Sequence, residues 1–113
     1  MKISGIGIDI EEVSRFEERE ISENRSFYEK IFTEEEINYC LEKNNPYPHF
    51  TARFCAKEAF VKAIGDSSII FTDIEIKKKN NKPIIQFKNQ DKGMISISHT
   101  SKYAIAFVII EEN

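Results

Sequence analysis

Apolar residues recur at helical spacing from Phe50 onward: Phe50, Phe54, Val61 and Ile64 form one stripe, while Ala56, Ala59 and Ala63 line much of the opposite side. Gly65 offers a C-terminal stop. A helix apolar on most sides belongs in a core. Lys57, Glu58 and Lys62 nevertheless occupy one edge of it, and charges there need an opposite charge, a metal or a charged ligand, because desolvating an unpaired ion is costly. A Glu58–Lys62 pair at i,i+4 would satisfy two of the three, at about 0.2–0.5 kcal/mol.

Before this helix, residues 2–10 alternate as a strand does, with Ile6, Ile8 and Ile10 on one face and Gly5, Gly7 and Asp9 on the other. Two glycines beside a carboxylate admit another backbone or a ligand. Asp9 therefore reads either as a site residue or as the cap of a following helix. The pattern predicts a polar helix over 11–20 with Val13 and Phe16 inward, and a short helical segment over 26–32. Thr33 and Glu36 form a capping box, opening a helix to about Lys43 with Ile37, Cys40 and Leu41 inward. Asn44 to Pro48 breaks the chain, and His49, at that break, receives no role.

Beyond Gly65, Ile74 and Ile76 alternate with charged residues over 72–79, Asn80-Asn81-Lys82-Pro83 makes a hairpin connection, and 83–88 returns. A polar turn over 89–93 precedes a strand over 94–99, with Ile95, Ile97 and His99 on its inward face, and a turn at Thr100-Ser101-Lys102 leads to a buried strand over 103–110. The predicted class is α+β: an N-terminal strand, three helices including a central buried helix, then a mainly antiparallel sheet.

A length of 113 residues suits one domain, spanning 1–113, and neither a repeat nor a linker divides it. The net charge of −3 provides no positive field for nonspecific nucleic-acid binding. The longest apolar run, Tyr103 to Ile110, is far too short to span a bilayer, so no membrane partner and a cytoplasmic location are expected. Cys40 and Cys55 lack metal-ligand spacing and read as reduced and structural. Arg15 and Arg19 sit among Glu11, Glu12, Glu17, Glu18 and Glu20, the mixture of a solvated face. The donors from Ser98 to Lys102 suit phosphate oxygens, or the needs of their own turn.

Three segments in this order, Gly5-Ile-Gly-Ile-Asp-Ile10, Arg53-Phe-Cys-Ala-Lys-Glu-Ala-Phe-Val-Lys62 and Ile97-Ser-His-Thr100, together resemble the holo-acyl-carrier-protein synthase family of 4′-phosphopantetheinyl transferases. Phe71-Thr-Asp-Ile-Glu-Ile76, Lys82-Pro83 and Tyr103-Ala-Ile-Ala106 are similar to the family pattern as well, so the likeness covers nearly the whole chain. It implies transfer of the phosphopantetheine arm of coenzyme A to a carrier-protein serine, releasing adenosine 3′,5′-bisphosphate with Mg²⁺ assistance. Asp9 and Glu58 match the family's metal carboxylates, and Asp9, Glu58 and Lys62 its catalytic set. Lys57 and Lys62 would offset phosphate charge, whereas Arg53, His99 and Thr100 match contacts to coenzyme A phosphates. Arg15 and Arg19, on the first helix, match the side that meets an acyl carrier protein, although the surrounding glutamates weaken that field.

The resemblance further implies a homotrimer with shared active sites, in which His99 and Asp9 need not come from the subunit that supplies Glu58. The base that takes the serine proton stays open between Glu58, acting through a metal-bound water, and another carboxylate. The loop after Gly65 and the segment between Lys88 and Met94 are shorter than in many family members. Two other functions compete: an inactive coenzyme A-binding interaction module, and a structural trimer whose charged edge is an interface ion-pair network.

Overall fold

Strand β1 (Ile3–Glu12) pairs antiparallel with β6 (Tyr103–Glu111), and β6 with β5 (Met94–His99), in the computed structural model, which describes residues 2–112. In β6 the alternation is regular, with Ala104, Ala106, Val108 and Ile110 buried and Tyr103, Ile105 and Phe107 exposed. The inward side chains are small because a helix lies close above them. That helix is α4 (Tyr47–Ile64), which ends at Gly65 with φ of 80°.

The fit between β1 and α4 requires glycine. A Cβ on Gly7 would stand 1.9 Å from the Ala59 carbonyl oxygen, and one on Gly5 1.9 Å from that of Ala63. The backbone admitted by the two glycines is thus that of α4. The isoleucine face of β1 consequently points away from the core, and Ile6, Ile8 and Ile10 are all more than half exposed.

A second antiparallel sheet contains β2 (Ile74–Lys79), β3 (Lys82–Phe87) and the two-residue β4 (Gln90–Asp91), in that order. The turn between β2 and β3 uses Asn80 and Asn81 at φ of 52° and 64°, the left-handed pair that a tight two-residue hairpin demands. Ile74, Ile76 and Ile85 carry this sheet onto Phe60 and the alanines of α4.

Helices α1 (Ser14–Glu17), α2 (Arg25–Glu29) and α3 (Glu34–Leu41) close the other side, where Phe16, Tyr28, Phe32, Phe50 and Phe54 pack as an aromatic cluster. The Thr33–Glu36 capping box is formed. The class is α+β with an N-terminal strand, as the sequence pattern implies. Several boundaries and burial expectations differ. Glu11 and Glu12 extend β1 by pairing with Ala104 and Tyr103, so the helix expected from residue 11 shrinks to Ser14–Glu17, followed by a 3-10 turn at Ile21–Glu23. The central helix starts earlier than the Asn44–Pro48 break suggests, because Pro48 lies in its first turn, where no backbone N–H is missed. Leu41 and His99, both expected inward, are exposed, His99 because β5 ends there beyond the packed part of the sheet.

Candidate functional site

Asp9 emerges from β1 beside α4, and Lys62 Nζ donates to Asp9 Oδ1 at 3.2 Å and to the Ile8 carbonyl at 3.0 Å. The Asp9 side chain is only 10% exposed. Its second oxygen, Oδ2, is buried without a hydrogen-bond partner. Glu58 lies one turn before Lys62, and burial, then the Asp9 charge, pushes its carboxyl above the usual range, while Lys62 and Arg15 oppose the shift. Glu11, two residues on from Asp9 along β1, is raised in the same way, by burial and then by Asp9, but its carboxylate is tied to Arg15 at 2.8 Å. The Glu58–Lys62 pair suggested by helical spacing does not form, since Lys62 reaches across to β1 instead.

This arrangement has one buried carboxylate oxygen unspent, a second carboxylate within its field and a lysine between strand and helix. Such oxygen donors suit a hard divalent cation. Among the described residues no group of three His, Cys, Asp or Glu side chains could hold a metal by itself. Mg²⁺ takes one or two carboxylates and fills its octahedron with water and substrate phosphate oxygens, so a site of that kind needs no third protein ligand.

Lys57 does not belong to this edge. It is fully buried on the inner side of α4, donating to Glu36 Oε1 at 2.6 Å and to the carbonyls of Ile31 at 2.8 Å and Phe71 at 3.0 Å. All three ammonium protons are thereby spent. Burial lowers the pKa of the ammonium and Glu36 opposes that shift. Glu36 in turn accepts from the backbone N–H groups of Thr33 and Ile76, so the pair ties α3, α4 and β2 together. The phosphate-binding role expected for Lys57 is therefore corrected to a structural one: Nζ has neither an open direction nor a free proton.

A second charged region lies elsewhere on α4. Arg53 and Glu58 are five residues apart, which turns them about 140° from one another around the helix. Arg53 opens into a cleft of about 240 Å³ lined by Tyr39, His49, Lys77, Lys78, Pro83 and His99 among others, with no carboxylate on its wall. His49 and His99 face each other edge to face, ring centres 5.1 Å apart. Burial, then the neighbouring His99 and Arg53, lowers His49 to a pKa of about 4. Burial would raise the Tyr39 phenol, but Lys78, Arg53 and Lys43 around it bring it below its usual value.

Thr100, next to His99, spends its hydroxyl oxygen on the turn, accepting from the N–H groups of Lys102 at 3.1 Å and Tyr103 at 3.0 Å. His49 and Tyr39 were not singled out by the sequence pattern. The available signal was the tolerance of proline in a first helical turn, which puts His49 one turn before Arg53 on the same face.

Arg15 and Arg19 lie on the exposed first helix and just beyond it, Arg15 at the border of the Asp9 region through its pairing with Glu11. Arg15 pairs with Glu11 and sits over the Phe54 ring at 5.2 Å, and Arg19 over the Phe27 ring at 4.4 Å. A shallow hollow of about 560 Å³ surrounds Arg15, bounded by Ile10, Glu11, Glu12, Ser14, Glu18 and Tyr103.

A family model described as the 4′-phosphopantetheinyl transferase superfamily matches residues 5–108. A holo-(acyl-carrier-protein) synthase of Halothermothrix orenii is 42% identical, the match covering 97% of this chain and 98% of that one. The corresponding protein of Cytophaga hutchinsonii is 39% identical over 98% and 99% of the two chains. Among solved structures, a holo-(acyl-carrier-protein) synthase from Bacillus anthracis in complex with CoA (3′,5′-ADP) superposes with a TM-score of 0.84 at 34% identity, covering 100% of both chains. That of Helicobacter pylori in complex with coenzyme A gives 0.81 at 30% identity, over 94% of this chain and 99% of that one.

Proposed function

The chain belongs to the 4′-phosphopantetheinyl transferase superfamily, and on that premise we propose that it transfers the 4′-phosphopantetheine group of coenzyme A to a serine of an apo acyl carrier protein. The observation that carries the proposal is the unspent, buried Asp9 Oδ2 beside Lys62 and Glu58. In the reaction the serine Oγ forms a bond to the phosphorus that bears pantetheine, while the bond from that phosphorus to the bridging oxygen breaks. The bridging oxygen departs with adenosine 3′,5′-bisphosphate, and the serine proton is lost to a base.

Asp9 and Glu58 are the residues that would hold Mg²⁺. When bound, the cation supplies charge neutralisation of the pyrophosphate and of the developing leaving group. Lys62, anchored by Ile8 and Asp9, presents its remaining ammonium proton to a phosphate oxygen. Arg53 and His99 would receive the phosphates at the other end of coenzyme A, with Thr100 fixing the turn behind His99. Arg15 and Arg19 would meet the carrier protein.

Because the Asp9 and Arg53 regions lie on different sides of α4, a donor that engages both is best held between two copies of the chain. The outward face of β1 and β6, with Ile6, Ile8, Ile10, Tyr103, Ile105 and Phe107 all exposed, supports self-association. A homotrimer with shared sites fits both observations. Asp9 and Glu58 come from one subunit, since β1 lies directly on its own α4. No described helix is long and apolar enough to cross a membrane, and a cytoplasmic enzyme acting as a single domain is the proposed context.

The test is intact-mass analysis of apo acyl carrier proteins incubated with the protein, coenzyme A and Mg²⁺, with a chelator control. A metal-dependent gain of one phosphopantetheine is expected, abolished by Asp9→Asn or Glu58→Gln. Coenzyme A binding with no gain on any carrier would support an inactive interaction module instead.

A further inference from the structure

Arg53 is only 6% exposed, yet no carboxylate holds it. Its Nε is buried without a hydrogen-bond partner, and one terminal nitrogen makes a long 3.5 Å contact to the His49 carbonyl. What stands against the guanidinium is an aromatic face: the Tyr39 ring centre is 4.1 Å from Arg53 Cζ. The same ring has Lys43 Nζ at 4.6 Å and Lys78 Nζ at 5.9 Å, and it abuts His49 at 6.3 Å. Three cations and a histidine thus converge on one half-buried ring.

A guanidinium stacked on an aromatic ring keeps its N–H fork free in its own plane, whereas one paired with a carboxylate has spent it. The alternative partner is near. An adjoining hollow of about 240 Å³ is lined by Arg53 and Tyr39 together with Glu35, Glu36 and Glu75. Glu35 and Glu75 lie against Lys77, at 3.9 and 3.3 Å; without the ring Arg53 would be held only by its long contact to the His49 carbonyl and could compete for those carboxylates, which would cancel its charge in the cleft.

We propose that Tyr39 is the positioning residue for the donor's phosphate at this end: its ring holds Arg53 in the carboxylate-free cleft, with the fork available to a phosphomonoester. The ligand identity rests on the transferase reading above. The role of Tyr39 rests on the stacking geometry. Discrimination between a nucleotide that carries a 3′-phosphate and one that lacks it then depends on a residue that need not touch the phosphate.

The experiment compares binding of adenosine 3′,5′-bisphosphate and adenosine 5′-monophosphate, by titration calorimetry without carrier protein, to wild type, Tyr39→Phe and Tyr39→Leu. Wild type and Tyr39→Phe are expected to prefer the bisphosphate to the same degree. Tyr39→Leu should lose about tenfold in bisphosphate affinity, equivalent to about 1.4 kcal/mol, with little change for the monophosphate. In the transfer assay Tyr39→Leu should raise KM for coenzyme A by a similar factor and leave kcat within about twofold, a split that general unfolding would not produce. Undiminished preference in Tyr39→Leu, equal losses in Tyr39→Phe and Tyr39→Leu, or a wild type that does not discriminate would each overturn the proposal. Absence of transfer alongside the expected binding pattern would sink the transferase reading and leave the role of Tyr39 standing.

Discussion

Replacing Lys57 by methionine removes an ammonium from a site where both partners are essentially sealed, the Lys57 and Glu36 side chains being 0% and 1% exposed. Glu36 would keep the N–H groups of Thr33 at 2.9 Å and Ile76 at 2.8 Å but lose its cation, and the carbonyls of Ile31 and Phe71 would lose their donor. Breaking one side of a buried pair costs about 3–5 kcal/mol, a large part of the about 5–15 kcal/mol that stabilises a domain. At about 4 °C per kcal/mol the melting temperature should fall by about 12–20 °C. The chain has no tryptophan, so urea unfolding is best followed by far-UV circular dichroism at matched protein concentration. The double variant Glu36→Leu with Lys57→Met should recover much of the loss, because two apolar residues leave no orphaned charge. A loss below about 1 kcal/mol for Lys57→Met, the range of exposed pairs, would refute the structural assignment. So would unchanged stability combined with weakened binding of adenosine 3′,5′-bisphosphate, which would return Lys57 to the phosphates.

Gly7→Ala should prevent β1 from seating on α4, since the new carbon would lie 1.9 Å from the Ala59 carbonyl; Gly65→Ala, with open space but φ of 80°, should cost only about 1 kcal/mol, and thermal unfolding of the two separates the effects. The His49 pKa is lowered from 6.5 to about 4 in the folded state, so between those values the unfolded chain binds the extra proton. Stability should therefore fall as pH drops through that window, and His49→Gln should flatten the fall in urea midpoints. Ile8→Glu, on the exposed face of β1, should shift light-scattering mass toward the monomer and reduce transfer; a variant that keeps the wild-type mass would remove that face from the assembly. Lys62→Ala should lower kcat by at least about 100-fold while leaving the circular dichroism spectrum intact.

Asp9 stood out as a carboxylate on a glycine face, and Glu58 and Lys62 as charges on the edge of an apolar helix, but only the family resemblance joined them in one site. Lys57 was legible only as a charge in need of a partner. Helical spacing does not say which flank of α4 is covered, and the partner that decides it, Glu36, stands 21 residues away. In the sequence Glu36 already had an assignment, as the far end of a capping box, which its Oε1 also fulfils. The isoleucine face of β1 illustrates the opposite case. Alternation revealed two faces, but only the near contact of glycine with the α4 carbonyls turns the glycine face inward. His49 and Tyr39 acquire meaning from the convergence of α3, α4 and β5, which neighbouring residues in the chain do not encode.

The pairing of β1 with β6 also governs the order in which the fold can assemble. Ser4 donates to the carbonyl of Ile110, 106 residues later, and Ile3 is registered against Glu111. Strand β1 must therefore wait for β6 before its hydrogen bonds close, while the helices form from local contacts. Loop closure over such a separation should make this sheet slower to form than the helices, which stopped-flow refolding followed by circular dichroism would show as a later phase. A nascent chain halted before β6 would hold α4 with its alanine face uncovered, so premature termination should yield a chaperone client rather than a smaller folded unit.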